Sequence, residues 1–188
     1  MDHFERLEGD LRFVRGALDA STKSASPSAL YFLWAAVVLV GFVLVDFQPD
    51  LVTEYWTIAG PAGFFASAYL GWRHARQTGQ ASASDGRRHV LHWAAVLVAV
   101  ALAVLLARDG GMPPGTLQAV ILLLLSLGYF TAGLHLDRRL LWVGFLMGVG
   151  SIVVTVVSLY AWTMVGIALA VSLVVAGMWE GRSREATT

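Results

Sequence analysis

Long apolar stretches alternate with short polar breaks along the chain, and this pattern predicts six membrane-spanning helices. Each stretch is roughly 18–21 residues long, the length that an α-helix needs to cross a hydrocarbon core of about 30 Å. A membrane β-barrel would show short segments of alternating polarity instead. The predicted spans are residues 28–45, 52–72, 89–107, 116–136, 140–160 and 161–180. The predicted fold class is therefore an all-α membrane protein, with a six-helix bundle filling a domain of residues 25–181.

Two of the predicted breaks are short. The fourth and fifth spans are separated only by Asp137, Arg138 and Arg139, and three consecutive charges favour a turn at the membrane surface. The run from Leu140 to Gly181 would be roughly 63 Å long as a single helix, about twice the thickness of a bilayer. It must therefore fold back, and the aromatic residues around position 160 are typical of a membrane interface.

Basic residues are divided unequally between the two sides that this count creates. Of the thirteen Lys and Arg residues, Arg108 alone falls on the side of Asp46 and Asp50. Loops rich in Lys and Arg remain in the cytoplasm, so the N-terminus and the C-terminal tail, 182–188, are predicted to be cytoplasmic. The predominance of arginine over lysine, with abundant alanine and valine, indicates a bacterial protein, so the expected location is the inner membrane.

Composition narrows the function classes. The chain is 57% hydrophobic and 14% charged, with a mean hydropathy of +0.66, so most of its surface is expected to face lipid. It has no cysteine, which excludes disulfides, thiolate metal sites and cysteine nucleophiles. Its formal net charge is zero, which argues against a nucleic-acid partner.

Residues 1–24 carry apolar side chains at steps of three and four, which predicts a cytoplasmic amphipathic helix. Two interpretations remain. The helix could lie along the membrane face of its own bundle, or it could bind a protein partner or a second copy through the same face. Acidic residues outnumber arginines there, which disfavours binding to anionic lipid. The candidate docking residues are Phe4, Leu7, Leu11, Val14 and Leu18.

The six spans form three outward hairpins that share short motifs. The first helix of each hairpin has a tryptophan near its start, and the second helices of two hairpins open with Trp-Thr and reach a glycine fifteen residues later. These residues are Trp34, Trp93 and Trp142, then Trp56 with Gly71 and Trp162 with Gly177, and Gly133 ends the fourth span similarly. One interpretation is a repeat of three parallel two-helix units around a pseudo-threefold axis. The other is that tryptophan belts at the interfaces produce the matches.

The predicted midplane of the bilayer lacks ionisable side chains, which disfavours an ion-coupled pump. Gly60, Pro61 and Gly63 interrupt the second span and predict a helix bend, because proline removes a backbone hydrogen bond. An unwound half-helix there could host a ligand. Alternatively, small residues there allow helices to approach closely, as they would at Gly144 and Gly148.

Four histidines fall at the cytoplasmic ends of the second, third and fourth spans. His92 and His135 are the candidates for binding a cofactor, and a metal or haem cluster is one interpretation. The other is that these are hydrogen-bonded surface groups, because the spacing matches no established metal or two-haem pattern. The sequence therefore predicts no cofactor and no metal. It also shows no catalytic elbow, phosphate loop or carboxylate pair, so we expect a protein that is not an enzyme.

Two motifs resemble those of a group of uncharacterised bacterial inner-membrane proteins. The first is Leu11-Arg12-Phe13-Val14-Arg15, in the style LRF[IV]R, within the amphipathic segment. The second is the Gly133–Trp142 run GLHLDRRLLW, which joins two spans. The resemblance implies a cytoplasmic amphipathic helix followed by several spans. It implies no chemistry, because the group has none assigned.

The sequence favours a non-enzymatic regulatory, scaffold or accessory subunit that acts through partners on its cytoplasmic side. The alternative is a small-solute transporter, or the substrate-binding membrane subunit of one, with the Pro61 bend as a binding site. The expected partners are the lipid bilayer and a protein that docks on the N-terminal helix.

The predicted topology can be tested by fusing a reporter enzyme that is active only outside the cytoplasm. Fusions after Asp50 or Gly111 should give activity, and a fusion after Gly79 should give none. The reverse pattern would contradict the topology.

Overall fold

The computed structural model describes residues 28–78, 83–157 and 159–185. The amphipathic segment 1–24, with its candidate docking residues Phe4, Leu7, Leu11, Val14 and Leu18, lies outside the described residues. The amphipathic helix and its docking role therefore stay predictions.

Six α-helices and one short 3₁₀ turn make up the described parts of the chain, which contain no strand. The helices are α1 (Ser28–Phe47), α2 (Val52–Thr78), α3 (Ala83–Gly110), α4 (Pro114–His135), α5 (Leu140–Val156) and α6 (Ala161–Glu185), with the 3₁₀ turn at Pro49–Leu51 between α1 and α2. Each predicted apolar stretch coincides with one helix, which confirms the all-α class.

Four of these helices are long and apolar enough to cross a membrane: α1, α3, α4 and α6. Helix α5 is also apolar but has only 17 residues. Helix α2 has 27 residues but does not reach the hydropathy of the four. The fold is therefore that of an all-α membrane protein.

Helices α2, α3 and α5 begin or end at residues other than the predicted ones. Helices α2 and α3 continue past the apolar core because arginine stems can lie along a helix while their charges reach water. Helix α5 ends at Val156 and not at residue 160. Tyr160, just before α6, has a φ of 52°, and this left-handed residue belongs to the reversal between α5 and α6.

The helices pack in the order α2, α1, α6, α5, α4, α3. The two most extensive contacts are α1 with α6 and α4 with α5, and the contacts within the hairpins α1–α2, α3–α4 and α5–α6 are narrower. Helices α2 and α3 make no contact with each other within the described residues. The core consequently lies among α1, α4, α5 and α6; its members include Tyr31, Val38, Phe42, Leu122, Val143, Met147, Leu169 and Leu173.

Glycines permit the close packing of α4 on α5. A Cβ added at Gly144 would lie 2.5 Å from the Phe130 backbone nitrogen and 2.9 Å from the Ser126 carbonyl oxygen. At Gly148 it would lie 2.9 Å from the Ser126 hydroxyl. These contacts confirm that Gly144 and Gly148 allow close helix approach. At the end of α4, a Cβ on Gly133 would lie 2.5 Å from the Leu141 backbone nitrogen.

Helix α6 uses glycine in the same way against α1. A Cβ at Gly166 would lie 2.5 Å from the Cβ of Phe42, and one at Gly177 would lie 3.1 Å from the Cβ of Tyr31. Two separate helix pairs thus depend on the absence of a side chain, as is typical of membrane helix packing.

Replacing Gly144 by alanine is expected to destabilise the protein by about 1–3 kcal/mol, because the new methyl group meets backbone atoms that cannot rotate away. The matched control is Gly115→Ala in α4, where an added Cβ meets no atom within 4 Å. Unfolding in detergent, followed by circular dichroism, measures both. Equal stability of the two variants would contradict this packing.

Candidate functional site

The two ends of the bundle carry different groups, and we name each after an aspartate. The Asp50 end holds the α1–α2, α3–α4 and α5–α6 connections, and the Asp137 end holds the start of α1 and the α4–α5 turn. Side-chain contacts that join helices at each end define the candidate sites.

At the Asp137 end, the α4–α5 turn is tied to the start of α1. The Tyr31 hydroxyl donates to Asp137 Oδ2 at 2.8 Å, and Asp137 Oδ1 accepts from the Arg139 backbone N–H at 3.0 Å. Tyr31 is only 4% exposed, so its hydroxyl needs this acceptor. The first charge after α4 therefore acts as a structural acceptor that joins distant parts of the chain.

At the Asp50 end, a carboxylate occupies the N-terminus of α6. Asp46, near the end of α1, accepts a hydrogen bond from the Thr163 backbone N–H at 2.7 Å. The first N–H groups of a helix have no partner within the helix, and an acidic side chain is favoured there. Phe42 packs edge-on against Trp162, with ring centroids 5.5 Å apart, beside this bond.

The candidate cofactor residues His92 and His135 lie in different surroundings. His92 Nε2 donates to the Gly128 carbonyl oxygen at 3.0 Å and joins α3 to α4. His135 is exposed at the end of α4. Among the residues the structure describes, no group of three or more His, Cys, Asp or Glu could hold a metal ion.

The residues of the predicted bend lie inside α2, which is helical on both sides of Pro61. Gly63 faces α1, where an added Cβ would lie 3.2 Å from the Trp34 ring. Nothing lies within 4 Å of a Cβ added at Gly60. The close-approach interpretation therefore applies at Gly63, and the bend stays a prediction.

A depression of about 650 Å³ opens at the Asp50 end. It lies between the starts of α2, α4 and α6 and the end of α1, and it combines aromatic, proline and polar walls. The lining residues are Val45, Pro49, Asp50, Val52, Thr53, Pro114, Gly115, Gln118 and Trp162.

The chemistry of this depression suits a small polar or cationic solute. Asp50 supplies a carboxylate, Thr53 a hydroxyl and Gln118 an amide, and Trp162 supplies an aromatic ring that could contact a cation. In the sequence, Asp50 belongs to the charge pattern and Trp162 to the repeat motifs, but no pattern marks these four residues as one site. They come from the 3₁₀ turn and three helices, and no spacing along the chain brings them together.

The chain thus belongs to the class of all-α membrane proteins, with polar groups at both ends of a helical bundle. Comparison with protein-family models, with curated proteins and with solved structures gives no match.

Replacing Asp46 by alanine should leave the Thr163 N–H without its acceptor and lower stability by about 0.5–2 kcal/mol, the range for lost helix caps. The control is Asp109→Ala, an exposed acidic residue in the last turn of α3 at the same end of the bundle. Denaturation in detergent compares the two variants. If Asp46→Ala is no less stable than the control, Asp46 does not stabilise the α1–α6 pair.

Proposed function

We propose that this chain is a non-enzymatic, six-span membrane subunit that acts as a scaffold or regulator through partners on its cytoplasmic side. The proposal has three parts: the topology, the hairpin organisation and the docking role. Each has its own support.

The six-span count is supported by the way in which the two less typical helices pack. Helix α2 runs antiparallel along α1: the Trp34 indole donates to the Ser67 hydroxyl at 2.9 Å, and the Tyr55 hydroxyl donates to the Val37 carbonyl at 2.7 Å. Helix α5, about 26 Å long at 1.5 Å per residue, packs between the candidate spans α4 and α6. This packing of α2 and α5 along candidate spans supports the proposal that both also cross the membrane.

The orientation rests on charge. The Asp137 end carries Arg73, Arg76 and Arg138, and this is the end that the positive-inside rule assigns to the cytoplasm. Arg76 lies 4.0 Å from the ring centre of Trp72, a cation–π pair suited to the membrane interface. In the proposed topology both chain ends are cytoplasmic and the location is a bacterial inner membrane.

Equivalent contacts in two hairpins support the threefold repeat. Trp34 in α1 bonds Ser67 in α2. Aligning the tryptophans pairs Trp34 with Trp93, and aligning the terminal glycines Gly71 and Gly133 pairs Ser67 with Tyr129. Trp93 and Tyr129 are in contact, with ring centroids 4.9 Å apart.

The observation that carries the partner role is that polar side chains in the bundle join helix to helix. Tyr31, Trp34, Tyr55, His92, Ser126 and Asp46 all bond to a group on another helix or on the α4–α5 turn. Groups used in this way give the bundle rigidity. The surface that binds a partner is therefore expected outside the bundle.

The N-terminal segment continues into α1, which makes one of the two most extensive helix contacts of the bundle. It joins α1 at Ser28, whose carbonyl oxygen lies 3.4 Å from a Cβ added at Gly177 in α6. One turn later Tyr31 bonds Asp137 in the α4–α5 turn. The chain therefore enters the bundle at the junction of α1, α6 and the α4–α5 turn.

Deleting residues 1–24 from the full chain should remove the protein partner that co-purifies with it while leaving the bundle folded. A second variant, with Phe4, Leu7, Leu11, Val14 and Leu18 replaced by serine, should do the same. The control replaces the polar-face residues Asp2, Glu5 and Asp10 by their amides. If every co-purifying protein remains bound after the deletion, the docking role is wrong.

The depression at the Asp50 end supports a second function, capture of a small solute by a transporter or its binding subunit. A cationic solute retained by freshly purified protein should be visible by native mass spectrometry. It should be lost in Asp50→Asn and kept in Glu54→Gln, which lies outside the depression. Identical spectra with no bound mass in any variant would contradict solute capture.

A further inference from the structure

The proposed hairpin repeat has three junctions between successive hairpins, and two of them are occupied within the described residues. The second helix of one hairpin packs on the first helix of the next at α4–α5 and at α6–α1, with equally extensive contacts. The third junction would join α2 to α3, which do not touch within the described residues.

The same glycine position marks both occupied junctions. Near the Asp137 end of α4, Gly133 lies against the start of α5 at Leu141, and in α6 Gly177 lies against the start of α1 at Tyr31. In each case the first turns of the next helix fill the space that a side chain would need.

In α2 the equivalent glycines face open space. The shared Trp-Thr opening aligns Gly60 with Gly166 and Gly71 with Gly177. Gly166 and Gly177 are covered by α1, whereas nothing lies within 4 Å of a Cβ added at Gly60 or Gly71.

The matching face of α3 is also uncovered. Aligning Trp34 with Trp93 pairs Tyr31, which is 4% exposed, with Val90, which is 61% exposed. The neighbouring Leu91 is 58% exposed. The two faces that would form the third junction, one on α2 and one on α3, are therefore both exposed, and they do not touch each other within the described residues.

Lipid is a poor substitute for a protein neighbour on α2. This helix falls below the hydropathy of the four candidate spans, yet α1 is the only α-helix that it contacts within the described residues, and that contact is narrow. Small residues gain little from contact with lipid tails, but they allow another helix to approach closely. The positions of Gly60 and Gly71 on α2 thus fit a neighbouring helix better than they fit lipid tails.

We propose that a second copy of this chain occupies the junction, with α2 of each copy packed on α3 of the other. With a twofold axis, the free face of α2 and the free face of α3 in each copy are both covered by the other copy. Most dimers are twofold-symmetric in this way. The proposal rests on the hairpin repeat proposed above, and it is independent of the docking role of residues 1–24.

Closure within one chain is less favourable for geometric reasons. Trp34–Ser67 and Tyr55–Val37 hold α2 on α1, and His92–Gly128 holds α3 on α4. Six helices in a closed ring would also leave a central gap about one helix wide, roughly 10 Å, that would have to be filled. A second copy leaves the hairpin contacts as they are.

Disulfide trapping in membranes tests the proposal, because the native chain has no cysteine. One tagged copy carries Gly71→Cys, and a differently tagged copy carries Val90→Cys. Oxidation should give a cross-linked pair containing both tags. The control pairs Gly71→Cys with Trp142→Cys, at the exposed start of α5 and at the same end of the bundle, and should give at least tenfold less cross-linked product.

A single chain carrying both Gly71→Cys and Val90→Cys separates the two closures. The proposal predicts cross-linked dimers, whereas a cross-linked monomer without dimers would show that the ring closes within the chain and would overturn it. Absence of any cross-link would overturn it as well.

Cross-linking can also trap two copies that collide by chance, so a second measurement tests the stability of the dimer. Gly60→Leu and Gly71→Leu together meet open space in one chain, so the monomer should stay folded. The dimer dissociation constant, measured by single-molecule photobleaching in vesicles, should rise at least tenfold. An unchanged dissociation constant would contradict the proposal whatever the cross-linking shows.

Discussion

The arrangement of this bundle depends on the contact of helix backbones at glycine. In a bilayer, apolar burial does not draw helices together, because the lipid tails are as apolar as the side chains. Close van der Waals contact and hydrogen bonds must do so. At Gly144 both occur at one point: the helix backbones approach closely, and the Ser126 hydroxyl donates to the Gly144 carbonyl at 2.7 Å.

This constraint divides the molecule into a centre and two lateral helices. The pairs α4–α5 and α1–α6 form the centre, and the buried core lies among them. Within the described residues, helices α2 and α3 are each attached to one neighbouring α-helix, through indole, phenol and imidazole groups. The centre gives the protein its fixed geometry, and the lateral helices provide the surface on which another protein could pack.

The sequence was sufficient to predict the helices but not their neighbours. Six apolar stretches separated by polar breaks indicate six helices, and the charges at Asp137 mark a turn correctly. Hydropathy cannot order the helices, because every lipid-facing surface is apolar and so is every buried one. The helix order consequently depends on details such as Gly166 against Phe42, which have no signature in the pattern.

The polar groups were even less predictable. In the sequence, Asp46 lies just after a predicted span and is taken for a loop residue. Its role at the N-terminus of α6 depends on a hydrogen bond with Thr163, which is 117 positions away. A cofactor at the histidines was one of two interpretations of their shared position, and no sequence pattern marks the bond from His92 to the Gly128 carbonyl. The depression around Asp50 collects residues from three helices and the end of a fourth. In each case the partner is fixed by tertiary packing, which local spacing does not encode.

The central claim is that one chain contains two occupied hairpin junctions and one vacant one. The most direct test measures distances between paired spin labels in doubly labelled protein diluted with unlabelled protein. One pair is placed at Phe32 and Met178, across α1–α6. The other is placed at Leu91 and Trp72, across α3 and α2, the positions that the proposed repeat makes equivalent. We expect a short distance for the first pair and a clearly longer one for the second. Equal short distances would contradict the account.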